Sequence, residues 1–215
     1  MRTLAIECAT AACSVALFEG CSLLAGEGRR MGRGHAEALV PMIAALPGKG
    51  RAERILVSLG PGSFTGIRVG LAAARALALA WKAECLGFPT LALVAATNDH
   101  WGAVVDGRIE DGAADVLVCM EGGHGEWFLQ PFNAAREPAG PCRTMSPDAA
   151  VSHFDQDIVV GSRAAEFVER RGSGKAFDVM PDAARAWQIP GGLLTSKLIP
   201  LYGRAPDAQL PAANR

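Results

Sequence analysis

The chain holds 215 residues, of which 50% are hydrophobic and 20% are charged, with a formal net charge of -1. This composition is ordinary for a globular protein of one large or two modest domains, and it excludes a long disordered chain. No apolar run approaches the ~20 residues of a membrane span, so we expect a cytoplasmic protein without a membrane anchor. A net charge near zero also predicts no strong independent binding of nucleic acid.

The first hundred residues alternate short apolar runs with helical patterns, as an α/β domain does. Two apolar segments separated by small residues predict a β-hairpin at the start of the chain. Apolar side chains then recur at helical spacing from Leu39 to Leu46, after the glycine-broken segment GRRMGRG. The predicted strands cover residues 3 to 8, 13 to 18, 22 to 27, 54 to 59 and 84 to 88, and the predicted helices cover 35 to 46, 67 to 81 and 90 to 97.

The second half of the chain is more weakly patterned. Residues 98 to 114 are polar and rich in glycine, which indicates a connection between domains at 1–100 and 101–215. A hairpin over 116 to 120 and 126 to 132 is predicted, followed by a strand at 157 to 160 and a helix at 164 to 171. The chain from Pro190 onward is expected to wrap the surface with little regular structure.

The glycine-rich segment GPGSFTG, residues 60 to 66, connects a predicted strand to a predicted helix. Glycines at the start of a helix can cradle an anion, so a phosphate loop is one interpretation. However, Ile67 stands where a Walker loop needs its lysine. Ser63 also lacks the flanking glycine of a hydrolase nucleophile elbow, so neither activity is favoured.

A second interpretation of the same segment is a helix packed closely against another helix. Gly66, Gly70, Ala74 and Ala78 recur every four residues, and such small side chains permit close approach. One face of each long helix in the first half can bury against the sheet, but the opposite face is also too apolar to be left in water. A partner interface is therefore predicted, with internal packing as the alternative. The predicted interface residues are His35, Glu37, Leu39, Val40, Ile43, Gly66, Val69, Gly70, Ala73, Ala74 and Leu77.

No metal, cofactor or catalytic site is predicted. His35 and Glu37 lack a second histidine at metal-ligand spacing, and the six cysteines form no C-x-x-C pair and are expected to be buried thiols. Glu7 ends the first strand, where a carboxylate could hold magnesium-bound nucleotide, but no glycine follows to admit phosphate. The arginines at 29, 30 and 33 are interpreted as solvated charge, with RNA contact as the alternative.

Three stretches, LAIECATAACSVALF, GHAEALVPMI and GPGSFTGIRVGLAAARALA, resemble the N-terminal domain of the TsaB (YeaZ) family over residues 3 to 95. The segment IPLYGR resembles the family's closing Pro-x-Tyr-x-Arg. The resemblance implies an actin/hexokinase-like (ASKHA) fold of two ribonuclease-H-like subdomains, the second smaller and degenerate.

The resemblance also implies a function. Members of the family support threonylcarbamoylation of tRNA adenosine by binding the catalytic paralogue TsaD, and the ATPase TsaE joins the assembly. A non-catalytic subunit is therefore expected, one that reaches tRNA only through the complex. It is expected to bind TsaD through a four-helix interface; the free protein is left open as a monomer or homodimer.

The chain departs from the family pattern at several positions. Glu7 stands where Asp is common, Ala36 where Ser is common, and only Gly125 to Trp127 match the family's segment in the second half. The alternative function is a stand-alone actin-like ATPase or small-molecule kinase. A glycoprotease-like hydrolase has neither a metal site nor a nucleophile to support it.

Overall fold

The computed structural model describes residues 1–96 and 114–203, together with the backbone of two short paired strands between them. The predicted connection over 98 to 114 therefore lies almost entirely outside the described residues, as does Arg204, the last residue of the segment IPLYGR. The two short strands pair antiparallel, which the sequence did not predict; they are β6 (Val104–Val105) and β7 (Arg108–Ile109).

The first half forms a five-stranded mixed sheet in the order β3-β2-β1-β4-β5. Strand β1 pairs antiparallel with β2 and parallel with β4, which places it at the centre of the sheet. The strands are β1 (Arg2–Glu7), β2 (Ala12–Glu19), β3 (Ser22–Arg30), β4 (Arg54–Ser58) and β5 (Glu84–Phe88). The helices are α1 (His35–Ala45), α2 (Phe64–Trp81) and α3 (Thr90–Ala96), with a 3₁₀ helix at Pro47–Gly50.

The second half repeats this arrangement, with shorter strands on either side of its central strand. Its sheet has the order β10-β9-β8-β11-β12, and the central strand β8 again pairs antiparallel on one side and parallel on the other. The strands are β8 (Val116–Gly123), β9 (Glu126–Phe132), β10 (Arg143–Met145), β11 (Ile158–Val160) and β12 (Lys175–Phe177). The helices are α4 (Pro147–His153) and α5 (Ala164–Arg171), followed by 3₁₀ helices at Ala183–Gln188 and Gly191–Leu193.

Both faces of the first sheet are covered, which explains why β1 is apolar along most of its length. Leu4 and Ile6 point to the face under α1 and α2, whereas Ala5 points to the opposite face, because side chains alternate along a strand. The opposite face packs on α3, whose seven residues are all buried, and through it on the second sheet. The two halves therefore share one hydrophobic core.

The last part of the chain returns to the first half. The 3₁₀ helix Ala183–Gln188 packs against β2 and β3, and the buried Ala183 N–H donates to Ser14 Oγ at 2.9 Å. The described end of the chain therefore contacts the first half, and the boundary near residue 100 stays a prediction.

Candidate partner-binding face and interdomain cleft

Helix α1 is positioned by the turn that follows β1. His35 Nε2 lies 2.9 Å from the carbonyl oxygen of Thr10, and this buried contact fixes the first turn of the helix. Leu39, Met42 and Ile43 follow at helical spacing and bury against the first sheet. The opposite side of α1 faces outward and carries Val40, which is 61% exposed.

Helix α2 begins at a side-chain cap, because Ser63 Oγ accepts a hydrogen bond from the Gly66 N–H at 3.2 Å. The helix is 18 residues long with a mean hydropathy of 1.2, yet only 28% of it is buried. Its length and composition also satisfy the criterion for a membrane span, a weak sign shared with helices of soluble proteins. Leu79 on this helix is 84% exposed, the largest exposure among the large apolar side chains of the described residues.

The stripe of small residues on α2 packs against the protein's own sheet. A Cβ at Gly70 would meet Cys8 and Val57 side chains at 3.5 and 3.6 Å, and one at Gly66 would lie 2.0 Å from the Cys8 carbonyl oxygen. The stripe therefore permits close packing of the helix on the sheet. Internal packing of this kind was the alternative interpretation of the sequence. Six predicted interface residues are buried in the core of the chain: His35, Leu39, Ile43, Gly66, Gly70 and Ala74.

The other five predicted interface residues remain at the surface. Glu37 and Val40 are exposed, and Val69, Ala73 and Leu77 are partly exposed beside the core. Helices α1 and α2 lie against each other, so we group their surface side chains as one candidate face. We define this face as the helix face; its further exposed members are Ala36, Pro41, Ala44, Ala72, Ala76, Leu79 and Ala80. Most of these side chains are small or aliphatic, as at many interaction surfaces.

A cleft of about 520 Å³ lies between the two halves. Its walls are the turn after β1, the glycine-rich loop before α2 and, from the second half, the C-terminal end of β8 and the turn before α5. Gly62 has to be glycine because a Cβ there would lie 1.9 Å from the Ala9 carbonyl oxygen. The same oxygen accepts a hydrogen bond from the Ser63 N–H at 2.6 Å, so the glycine-rich loop packs tightly on the turn after β1.

Glu7 lies beneath this turn rather than in the open cleft. Its Oε1 accepts a hydrogen bond from the Ala9 N–H at 2.5 Å, so a turn amide that could bind an anion already has a partner. Burial raises the pKa of Glu7 to about 7, although the bonds to Ala9 and Ser58 act in the opposite direction. Glu7 Oε2 is buried without a hydrogen-bond partner.

The cationic side chains of the cleft are already paired. Arg163 binds Glu121 and also Glu166, and Arg30 lies 3.8 Å from Asp178. Arg29 pairs with Glu27 on β3, which extends to Arg30, so this part of the predicted loop is a strand. These pairings reduce the positive charge that the described cleft presents to phosphate.

The described residues hold no group of three or more His, Cys, Asp or Glu side chains placed to bind a metal ion. The six cysteines are free thiols, and the expectation that all are buried is wrong for Cys21 and Cys142, which are exposed.

Sequence reasoning missed a cluster at the start of α2. The Arg68 guanidinium lies 3.5 Å from the centre of the Phe64 ring, and its Nε donates to Tyr202 Oη at 3.2 Å. Positions 68, 72, 75, 76 and 79 lie opposite the glycine stripe on a helical projection. The sequence alone could therefore have indicated these positions as the exposed side of α2, once the glycine stripe was known to face the sheet.

The architecture defines the class of protein: two ribonuclease-H-like halves around a cleft, as in the actin/hexokinase-like (ASKHA) fold. Two solved structures from Pseudomonas aeruginosa share it across 94% of this chain and 99% of theirs. One is titled as similar to peptidase YeaZ, with 24% identity and a TM-score of 0.76; the other is YeaZ, with 22% identity and a TM-score of 0.74.

Sequence comparison identifies the family. A family model described as TsaD, tRNA N6-adenosine threonylcarbamoyltransferase, matches residues 29–138. The Escherichia coli tRNA threonylcarbamoyladenosine biosynthesis protein TsaB is 34% identical over 137 residues, which are 61% of this chain and 55% of that protein. The match thus spans about half the length of this relative. The chain belongs to the family that the model describes, among its TsaB (YeaZ) members.

Proposed function

We propose that this chain is a non-catalytic subunit in the biosynthesis of threonylcarbamoyladenosine in tRNA, and that its helix face binds a TsaD-like catalytic paralogue. A TsaE-like ATPase joins this complex, tRNA is bound only through the complex, and the assembly works in the cytoplasm. The name of the Escherichia coli relative supports the pathway, and the family model supports a paralogue as partner.

The observation that carries the proposal is the exposure of α2. An apolar helix with 28% of its residues buried leaves a surface that water solvates poorly, and such surfaces are usually covered by a partner. Because the paralogue shares this family's sequence pattern, it is expected to present a similar pair of helices. Two helix pairs can then bury their apolar sides against each other.

Light scattering of the purified chain mixed with the TsaD-like protein of the same organism tests the proposal. We expect a complex at micromolar concentration, and Val40→Asp or Leu79→Asp should raise its Kd at least roughly tenfold by burying a charge. Leu23→Asp is the matched control, because Leu23 is 49% exposed on the edge strand β3, away from both helices. Separate, unshifted peaks for the unmodified proteins would reject the proposal.

The same experiment examines the free protein. If the helix face pairs with a second copy, the isolated chain will scatter as a dimer and Leu79→Asp will convert it to a monomer. Competition between dimer and complex would then follow, since both would bury the same side chains.

The alternative function, a stand-alone ATPase or small-molecule kinase, draws on the cleft and its glycine-rich wall. Titration calorimetry with Mg-ATP distinguishes it. We expect no saturable heat, because Glu7 already binds the turn amide and the cleft arginines are paired. Saturable binding with turnover by the isolated chain would favour the alternative.

A further inference from the structure

The segment from Thr195 to Gly203, which we call the strap, crosses the surface of the first half beside α2. It starts at the outer edge of β5, where the Thr195 and Gly87 backbones exchange two hydrogen bonds of 3.0 and 2.7 Å. Further along, the Leu201 N–H donates to the Leu59 carbonyl oxygen at 2.7 Å. The strap is therefore fixed to the first sheet at two points.

Side chains of α2 hold the strap between these points and just beyond the second one. Arg75 Nη2 donates to the Leu198 carbonyl oxygen at 2.6 Å, and Arg68 Nε donates to Tyr202 Oη. The rings of Phe64 and Tyr202 lie 5.2 Å apart, and the Arg68 guanidinium stacks on the Phe64 ring. Arg68 and Arg75 are seven residues apart on one side of α2, so the strap follows the helix and forms a surface continuous with it.

This surface is apolar with a cationic border. Ile199 is 66% exposed, and Phe64, Leu201 and Tyr202 are each about 40 to 50% exposed. The exposed side chains of Arg68, Arg75 and Lys197 lie on the same two elements, and neither α2 nor the strap contains Asp or Glu. Aromatic and arginine side chains of this kind supply much of the binding energy at protein interfaces.

We propose that the strap is a third element of the partner-binding face, and that it recognises an apolar patch bordered by carboxylates on the TsaD-like paralogue. This inference rests on the proposed function, because it extends the helix face to a further contact with the same partner. The strap is continuous with α2, so it can contact the same partner as the helix face. The positive charge of Arg68, Arg75 and Lys197 favours carboxylates around the apolar patch of that partner. Exposed aliphatic side chains such as Ile199 favour a protein partner over single-stranded RNA, which would use the aromatic rings and the cationic side chains but not the aliphatic ones.

Kd measurements with the purified TsaD-like protein test the strap. We expect Ile199→Asp to weaken the complex at least roughly fivefold, whereas Trp187→Asp, a substitution of a 56% exposed residue on the other face of the first sheet, leaves it unchanged. The double variant Arg68→Gln with Arg75→Gln should also reduce the loss of affinity between roughly 0.05 and 0.5 M NaCl. Circular dichroism of each variant checks that the fold is retained.

The outcomes separate the two proposals. If Val40→Asp weakens the complex while the strap variants change neither Kd nor its salt dependence, the strap proposal is wrong and the helix face stands. If the unmodified proteins form no complex, both are wrong. If a labelled anticodon stem-loop RNA binds the chain and loses affinity in the double variant while the protein complex is unaffected, the cluster is an RNA site and the strap proposal is again wrong.

Discussion

Glu7 is a carboxyl group buried completely at the end of the central strand β1. Because one of its oxygens has no hydrogen-bond partner, the charged form is poorly stabilised, and burial raises the pKa to about 7 from an ordinary 4.5. In the unfolded chain the same group releases its proton at the lower pH. The folded state therefore loses stability as the pH rises between these two values.

We predict that Glu7→Gln removes this pH dependence. The neutral amide can still accept the hydrogen bond from Ala9. At pH 8 the free energy of unfolding of the variant should exceed that of the unmodified protein by up to ~3 kcal/mol, whereas at pH 4.5 the two should differ little. Urea unfolding at both pH values measures the difference. Glu37→Gln, at an exposed position on α1, provides the control; the same pH dependence in the Glu7 variant and the unmodified protein would contradict the prediction.

Helix α2 shows what its sequence could and could not reveal. Periodicity predicted the helix and the special role of its small residues, because spacing alone defines a stripe. Spacing does not specify whether a stripe faces a sheet or a partner. Here the answer depends on the Cys8 carbonyl group, which approaches the helix so closely that only glycine fits at position 66.

Replacing Gly66 by alanine should therefore destabilise the fold itself. The added Cβ would lie 2.0 Å from the Cys8 carbonyl oxygen, and displacing backbone in a packed core costs on the order of 1–3 kcal/mol. Thermal unfolding of the isolated chain measures the loss. Gly192→Ala is the control, because a Cβ there would meet nothing within 4 Å; equal stability of the two variants would show that α2 can move away from β1.

The other elements were also predicted well or poorly according to how complete their apolar pattern is. The strands and helices of the first half were predicted to within a few residues, since each has a full apolar pattern. In the second half, the short elements β10, β12 and α4 were not predicted, because polar and charged residues interrupt their sequences. The equally short β11 and α3 were predicted, because nearly all of their residues are apolar. The strap was predicted to lack regular structure. Its position beside α2 could not be predicted, because its hydrogen bonds to that helix join residues more than 120 positions apart and leave no local pattern in the sequence.

The whole molecule is held together by the core between its two sheets. Phe88 and Leu56 of the first sheet belong to the same buried cluster as Val118 and Phe128 of the second, with α3 between them. The buried hydrogen bond from Ala183 to Ser14 adds a polar tie between the end of the chain and β2. Neither half can bury its inner face without the other.

We therefore predict a single cooperative unfolding transition, with far-UV circular dichroism and tryptophan fluorescence changing together, as two-state unfolding requires. The fluorescence reports on both halves, because Trp127 is buried in the second half and Trp81 ends α2 in the first. Ser14→Ala should lower the midpoint for both signals together, because the buried Ala183 N–H loses its acceptor at a cost of ~1–3 kcal/mol. Ser173→Ala, at an exposed position, should change neither signal. Two separated transitions, or a Ser14 variant that shifts only one signal, would show that the halves unfold independently.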